Sequence, residues 1–204
     1  MGRSVFSSIA SQLVAAGRRF DHRGWVLGTS GNFSAVVSRH PLRLAITPSG
    51  ASKGELSVED ILEVDDSGRL TNERRGTPSA EALLHIEIVR NRGAAAVLHT
   101  HSVWGTIVSD RHAAEHGLLI EGFEMLKGLE GVKTHEHREW IPIIENDQDM
   151  KRLAATVREL LTAQRACHAF LLQRHGMYTW GETFPQALRH VEIVEFLLET
   201  VGRK

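Results

Sequence analysis

Ala94-Ala95-Ala96-Val97-Leu98-His99-Thr100-His101 orders the rest of the chain around it. An apolar run of strand length that follows Gly93 and ends in a His-x-His pair predicts a buried strand whose tip carries two imidazoles. Just upstream, from Ser79 onward, Leu83, Leu84, Ile86, Ile88 and Val89 predict a helix that Gly93 stops. Earlier still, Ala35-Val36-Val37 and Leu42-Arg43-Leu44-Ala45-Ile46, separated by a turn at His40-Pro41, read as paired strands. Ser57-Val58-Glu59-Asp60 resembles a helix start before the apolar stretch Ile61 to Val64. Downstream, Ile141-Pro142-Ile143-Ile144 and Ala169-Phe170-Leu171-Leu172 are further strands, and Met177 to Gly181 returns from the second. Helical periodicity covers Asp147 to about Ala163, the segment from Thr183-Phe184-Pro185 to the C-terminus, and an amphipathic first helix that runs from the Met1-Gly2-Arg3-Ser4 start to near Gly24. Helices lying between groups of strands predict a three-layer α/β/α arrangement around a central sheet.

The 204 residues show no linker, low-complexity tract or internal repeat, so one domain, 1–204, is expected. Lys and Arg number 24 against 25 Asp and Glu, which leaves no basic field to grip a phosphate backbone, and nucleic acid is not expected as a partner. The apolar positions near the N-terminus are too interrupted for a signal peptide, and no run of about 18 apolar residues is long enough to span a membrane. A lone cysteine, Cys167, makes no internal disulfide, which suits a reducing cytoplasm.

The 12 histidines are the unusual part of the composition. On a strand, residues i and i+2 share a face, so His99 and His101 can reach one ion. Catalytic zinc takes three protein ligands and keeps a fourth position open. His175 is the leading candidate for the third, because it too ends an apolar strand and is followed by a glycine; the other reading makes His99 and His101 satisfied core histidines. Thr134-His135-Glu136-His137 repeats the spacing amid charged neighbours and reads as a solvated turn. Cys167 reads as core packing and Lys53 as a surface lysine, although it stands where it could serve a bound phosphate. Gly28-Thr29-Ser30-Gly31-Asn32, Thr47-Pro48-Ser49-Gly50 and Pro78-Ser79 form three clusters of hydroxyls and exposed amides of the kind that bind anions, though none matches a P-loop or dinucleotide fingerprint. Two carboxylates stand out as possible bases: Glu81, where the helix toward Arg90 begins, and Glu124.

Taken in order, these motifs resemble the class II aldolase and adducin head family over almost the full length, from Gly28-Thr29-Ser30-Gly31-Asn32 through Ile46 to Gly50, Pro78-Ser79-Ala80-Glu81 and His99-Thr100-His101 to Arg174-His175-Gly176. The resemblance implies a central mixed, mainly antiparallel sheet and a zinc ion on His99, His101 and His175. It also implies a phosphate pocket around Gly31, Asn32, Thr47, Ser49, Gly50 and Ser79, and homotetramers with active sites between neighbouring subunits. Ala80 stands where aldolases often carry a second serine, which removes one phosphate hydrogen bond. The stretches Glu124 to Gly128, Val132 to Glu136 and Ile141 to Asp149 resemble dehydratase members, so the implied reaction is zinc-dependent dehydration of a small sugar phosphate bearing a thioether. In aldolase members the residue at the position of Glu81 is the acid/base; in the dehydratases it is the one at Glu124, and both are kept. Phe123, Met125 and Trp104 are candidates to line a thioether pocket. The alternatives are a zinc-dependent aldolase or epimerase, and a non-catalytic scaffold like the adducin head.

Overall fold

The structure, a computed structural model, describes residues 5–71 and 74–204. Met1 to Ser4, read above as the start of the first helix, lie outside them. Helix α1 (Val5–His22) buries Ala10, Leu13, Val14, Gly17 and Phe20, the i, i+3, i+4, i+7 stripe that its sequence spells. Strands β1 (Asn32–Arg39) and β2 (Leu42–Ile46) pair antiparallel with Ser34 opposite Ile46, and β3 (Leu62–Asp65) adds to the outer edge of β2. The helix start at Ser57 gives only one 3-10 turn, Val58–Asp60. The Asp60 carboxylate accepts both the N–H and the hydroxyl of Ser57 and closes that turn on itself. Beyond it Leu62 and Val64 alternate with Glu63, a period of two that commits the segment to β3.

Helix α2 (Ala82–Arg92) ends at Gly93, whose left-handed backbone terminates it, and β4 (Ala96–Thr100) follows. Two further elements, α3 (Val103–Arg111) and β5 (Gly117–Ile120), lead to β6 (Glu139–Ile144). Helix α4 (Met150–Ala163) is capped by Asp149, which accepts the N–H groups of Lys151 and Arg152. The hairpin β7 (Ala169–Leu172) and β8 (Gly176–Gly181) precedes α5 (Phe184–Gly202), which has Thr183 as cap and Pro185 in its first turn.

The eight strands form one sheet in the order β3-β2-β1-β4-β8-β7-β6-β5, antiparallel at every junction except β6 with β7. The sheet is therefore mixed and mainly antiparallel, with helices on both faces. One face buries Ala96, Leu98 and Met177 with α1, α3 and α5; the other buries Val97, Phe170 and Tyr178 with α2 and α4. Strand alternation then decides where the histidine pair goes. His99 follows Val97 onto the α2 face, while Thr100 follows Leu98 onto the α5 face. Register places Asn32, His99, Tyr178 and Phe170 side by side across β1, β4, β8 and β7. No helix among the described residues is long and apolar enough to cross a membrane.

Candidate metal centre and anion pocket

His99 is fully buried on β4, stacked against Tyr178 at 3.9 Å between ring centroids. Its Nδ1–H donates to Met177 O at 2.9 Å, which leaves the lone pair on Nε2 and aims it out of the sheet. His101 lies just past the strand, its backbone N–H bonded to Trp25 O at 2.8 Å. His175 enters from the β7–β8 turn, where Arg174 adopts a left-handed backbone and the His175 N–H closes on Leu172 O at 3.1 Å. This turn lies tight against β4: a side chain at Gly176 would begin 2.0 Å from Thr100 O. The three Nε2 atoms converge, with His101 2.8 Å from His99 and 3.1 Å from His175.

Burial keeps all three rings neutral, the form that ligates. His99 is held well below the usual histidine pKa by burial and then by its two histidine neighbours. His101 falls to about 4 and His175 is also lowered, in each case mainly by burial. Three neutral rings whose Nε2 atoms meet at one point suit a divalent metal, and among the described residues this is the one group of metal-donor side chains so gathered. Satisfied core histidines would account for the single contact between His99 and His101, but not for the third ring, His175, brought to the same point.

Glu81, immediately before α2, brings a carboxylate to the same place. Its Oε1 lies 3.4 Å from His175 Nε2 and 3.7 Å from His99 Nε2, and its Oε2 accepts from Asn32 Nδ2 at 2.5 Å. The carboxylate also borders a polar cavity of about 150 Å³ whose wall includes Thr29 to Asn32, Pro48 to Gly50, Ser79 and His101. Gly31 and Gly50 take left-handed backbones there, and Gly31 lies so close to His99 O that a Cβ would meet it at 2.7 Å. The Ser30 hydroxyl is buried near this wall with no hydrogen-bond partner.

The chain matches the sequence profile of the Class II Aldolase and Adducin N-terminal domain over residues 11–201. It belongs to that family. It is 45% identical to methylthioribulose-1-phosphate dehydratase of Methylococcus capsulatus over 204 residues, covering 100% of this chain and 97% of the relative. The dehydratase of the same name from Sorangium cellulosum is 41% identical over 195 residues, 95% of this chain and 91% of that one. Among solved structures, L-fuculose 1-phosphate aldolase superposes with a TM-score of 0.77 at 23% identity, over 98% of this chain and 86% of that one. The α/β fold with its open mixed sheet is thus the fold of class II aldolases.

Not every residue singled out in this class II aldolase family chain reaches the cavity. Gly31, Asn32, Ser49, Gly50 and Ser79 border it, but Thr47 is buried behind the wall, where its hydroxyl accepts the N–H of Phe33 at 3.1 Å. Asn32 uses its carboxamide within the wall, on Glu81, Ser79 and His85. Glu124 stands elsewhere, on a 3-10 turn after β5 with its side chain 72% exposed. Lys127, 2.7 Å away, lowers its pKa, and His135 lies 3.9 Å off. Trp104, Phe123 and Met125 pack around α3 and α5, with Arg203 over the Trp104 ring and Lys204 over Phe123, and none borders the cavity.

Lys53 is not the surface lysine expected. Its backbone packs against Gly17 of α1, and its buried ammonium donates to Thr29 O at 2.8 Å and Ala51 O at 2.7 Å, tying the loops that carry Thr29 and Ala51 together. Burial lowers its pKa to about 8 against the pull of Glu81. The solvated turn expected at His135 and His137 is half right. His135 is exposed, but His137 Nε2 lies 2.7 Å from Glu139, a buried carboxylate that also takes the N–H and Nδ1 of His168 at 3.0 Å. The reason is that β6 starts at Glu139, before the apolar run, and turns that side chain inward. Cys167 is buried, its thiol donating to Gln164 O at 3.1 Å with a pKa raised by burial, which accords with packing.

Proposed function

We propose that this chain is a zinc enzyme that dehydrates 5-methylthioribulose 1-phosphate to 2,3-diketo-5-methylthiopentyl 1-phosphate, a step of methionine salvage from methylthioadenosine. The observation that carries this reading is the convergence of His99, His101 and His175 with the Glu81 carboxylate beside a small hydroxyl-lined cavity. The full-length similarity to named dehydratases supports the choice of substrate.

His99, His101 and His175 would hold the zinc, which supplies a Lewis acid able to polarise a ketone oxygen. The phosphate enters the cavity, where Ser49 and Ser79 offer hydroxyls, Gly31 and Gly50 let backbone approach, and Asn32, Thr47 and Lys53 hold the wall in shape. Because Glu81 borders that cavity and also faces the histidines, it meets the carbons nearest the phosphate. Its Oε1 takes the proton from carbon 3, next to the ketone, hydroxide then leaves carbon 4, and the resulting enol loses its hydroxyl proton and gains one at carbon 4 to give the 2,3-diketone. The distal carbons point outward, and Glu124 reaches them from a neighbouring subunit of a homotetramer to protonate the departing hydroxide. Glu124 is exposed beside Lys127 and His135 and away from the cavity of its own chain, a placement that suits a group serving across a subunit contact.

The test is the substrate incubated in deuterium oxide with two variants. Glu124→Gln should still exchange the carbon 3 proton while forming little diketone, and Glu81→Gln should do neither. Full diketone formation by Glu124→Gln would remove it from the mechanism. Cleavage to a free aldehyde by the unaltered enzyme would favour the aldolase reading instead.

A further inference from the structure

His85 lies one helical turn beyond Glu81 on α2, fully buried, and takes no part in the metal or phosphate sites described. Its ring is nevertheless held at both nitrogens. Nε2 is 2.5 Å from Asn32 Oδ1, and Nδ1 is 2.7 Å from Ser34 Oγ. The other end of the Asn32 carboxamide, Nδ2, contacts Glu81 Oε2 at 2.5 Å and Ser79 Oγ at 3.3 Å.

The direction of every hydrogen in this chain follows from its acidic end. A carboxylate only accepts, so Asn32 must turn its NH₂ to Glu81 and its oxygen to His85. His85 must then carry its proton on Nε2, and its bare Nδ1 accepts from the Ser34 hydroxyl. Burial supports this by holding the ring neutral, with a pKa of about 3. The parts stand on regular elements: Asn32 and Ser34 share a face of β1, and Glu81 and His85 are four residues apart at the start of α2.

We propose that His85 is a positioning residue: by fixing the Asn32 carboxamide it holds Glu81 with Oε2 engaged and Oε1 turned to His99 and His175. Without the ring the carboxamide is free to rotate and set its oxygen against Oε2, which would swing the carboxylate away. The inference rests on the proposed role of Glu81 in proton transfer.

Two measurements test it. In full-length, zinc-loaded protein labelled with ¹⁵N-histidine, long-range proton–nitrogen correlation should show His85 in the Nε2–H form throughout pH 6 to 9; the Nδ1–H form or a charged ring would overturn the proposal. In steady-state kinetics, His85→Leu should lower kcat by about 10- to 100-fold, the usual effect of losing such a partner, with KM within about twofold and zinc content unchanged. His85→Gln, which keeps an N–H donor toward Asn32, should recover most of that loss. Equal losses in both variants accompanied by loss of zinc would mean that the ring is core packing only. If Glu81→Gln is inactive while His85→Leu is fully active, positioning fails alone. If Glu81→Gln is fully active, the role of Glu81 fails and positioning falls with it.

Discussion

Replacing Gly176 with alanine tests how closely the metal centre depends on the contact between β4 and β8. Gly176 does not have a left-handed backbone, so alanine meets no conformational penalty there and the effect is steric. The new Cβ would lie 2.0 Å from Thr100 O, 3.1 Å from Thr100 C and 3.2 Å from His99 Cε1. Since such contacts are essentially never below 3.0 Å, backbone must part from backbone by about 1 Å. Overpacking of this kind costs about 1–3 kcal/mol, and a domain of this size loses roughly 2–4 °C of Tm per kcal/mol, so a fall of about 2–12 °C is expected. The strands part where His99 and His175 stand on either side of the contact, so zinc affinity should drop by more than about tenfold. Thermal melts with and without zinc, together with a competitive chelator titration, give both numbers. An alanine variant with unchanged Tm and zinc affinity would refute the packing argument.

Other outcomes follow from the same physical account. His99→Ala should remove most bound zinc and most turnover while the far-UV circular dichroism stays native; a fully active, zinc-free variant would show that the metal assignment is wrong. Glu195 on α5 is buried against Thr100, and burial first of all raises its pKa from 4.5 to about 7. Between those values the folded protein keeps a proton that the unfolded chain releases, so this contribution to stability is complete below about pH 4.5 and declines as pH rises through 7, by on the order of 3 kcal/mol. Glu195→Gln should lose that decline in urea melts at pH 5 and 8; an unaltered pH slope would contradict it. Lys53→Met, which severs the tie between Thr29 and Ala51, should raise KM by about tenfold or more with zinc content unchanged, and an unaltered KM would argue against a phosphate held between those loops.

Much of this was legible in the residues. The apolar run ending in His99, and the period-two alternation through Leu42 to Ile46, need no tertiary knowledge to read as strands. His175 was recognisable because its glycine neighbour allows the close approach that the structure shows at Thr100 O. Other features depend on tertiary contacts that local sequence does not encode. Ser57 to Asp60 carries a helix-start pattern, yet β2 offers the following residues a partner edge, and pairing outweighs propensity. Lys53 looks exposed in sequence; only the approach of α1 and two loops buries it. His85 gave one faint signal, a histidine in the apolar stripe of a helix four residues after an acid, but its partners sit 51 and 53 positions away. Glu124 marks the limit of a single chain, since its proposed partners belong to another subunit.

Metal-stripped enzyme should be returned to stoichiometric zinc and given 5-methylthioribulose 1-phosphate while the ultraviolet absorbance of a diketone is followed. The stripped protein should form no diketone, and formation should return as one zinc binds per subunit; release of an aldehyde in place of diketone, or full turnover without metal, would show that zinc-dependent dehydration is not its reaction.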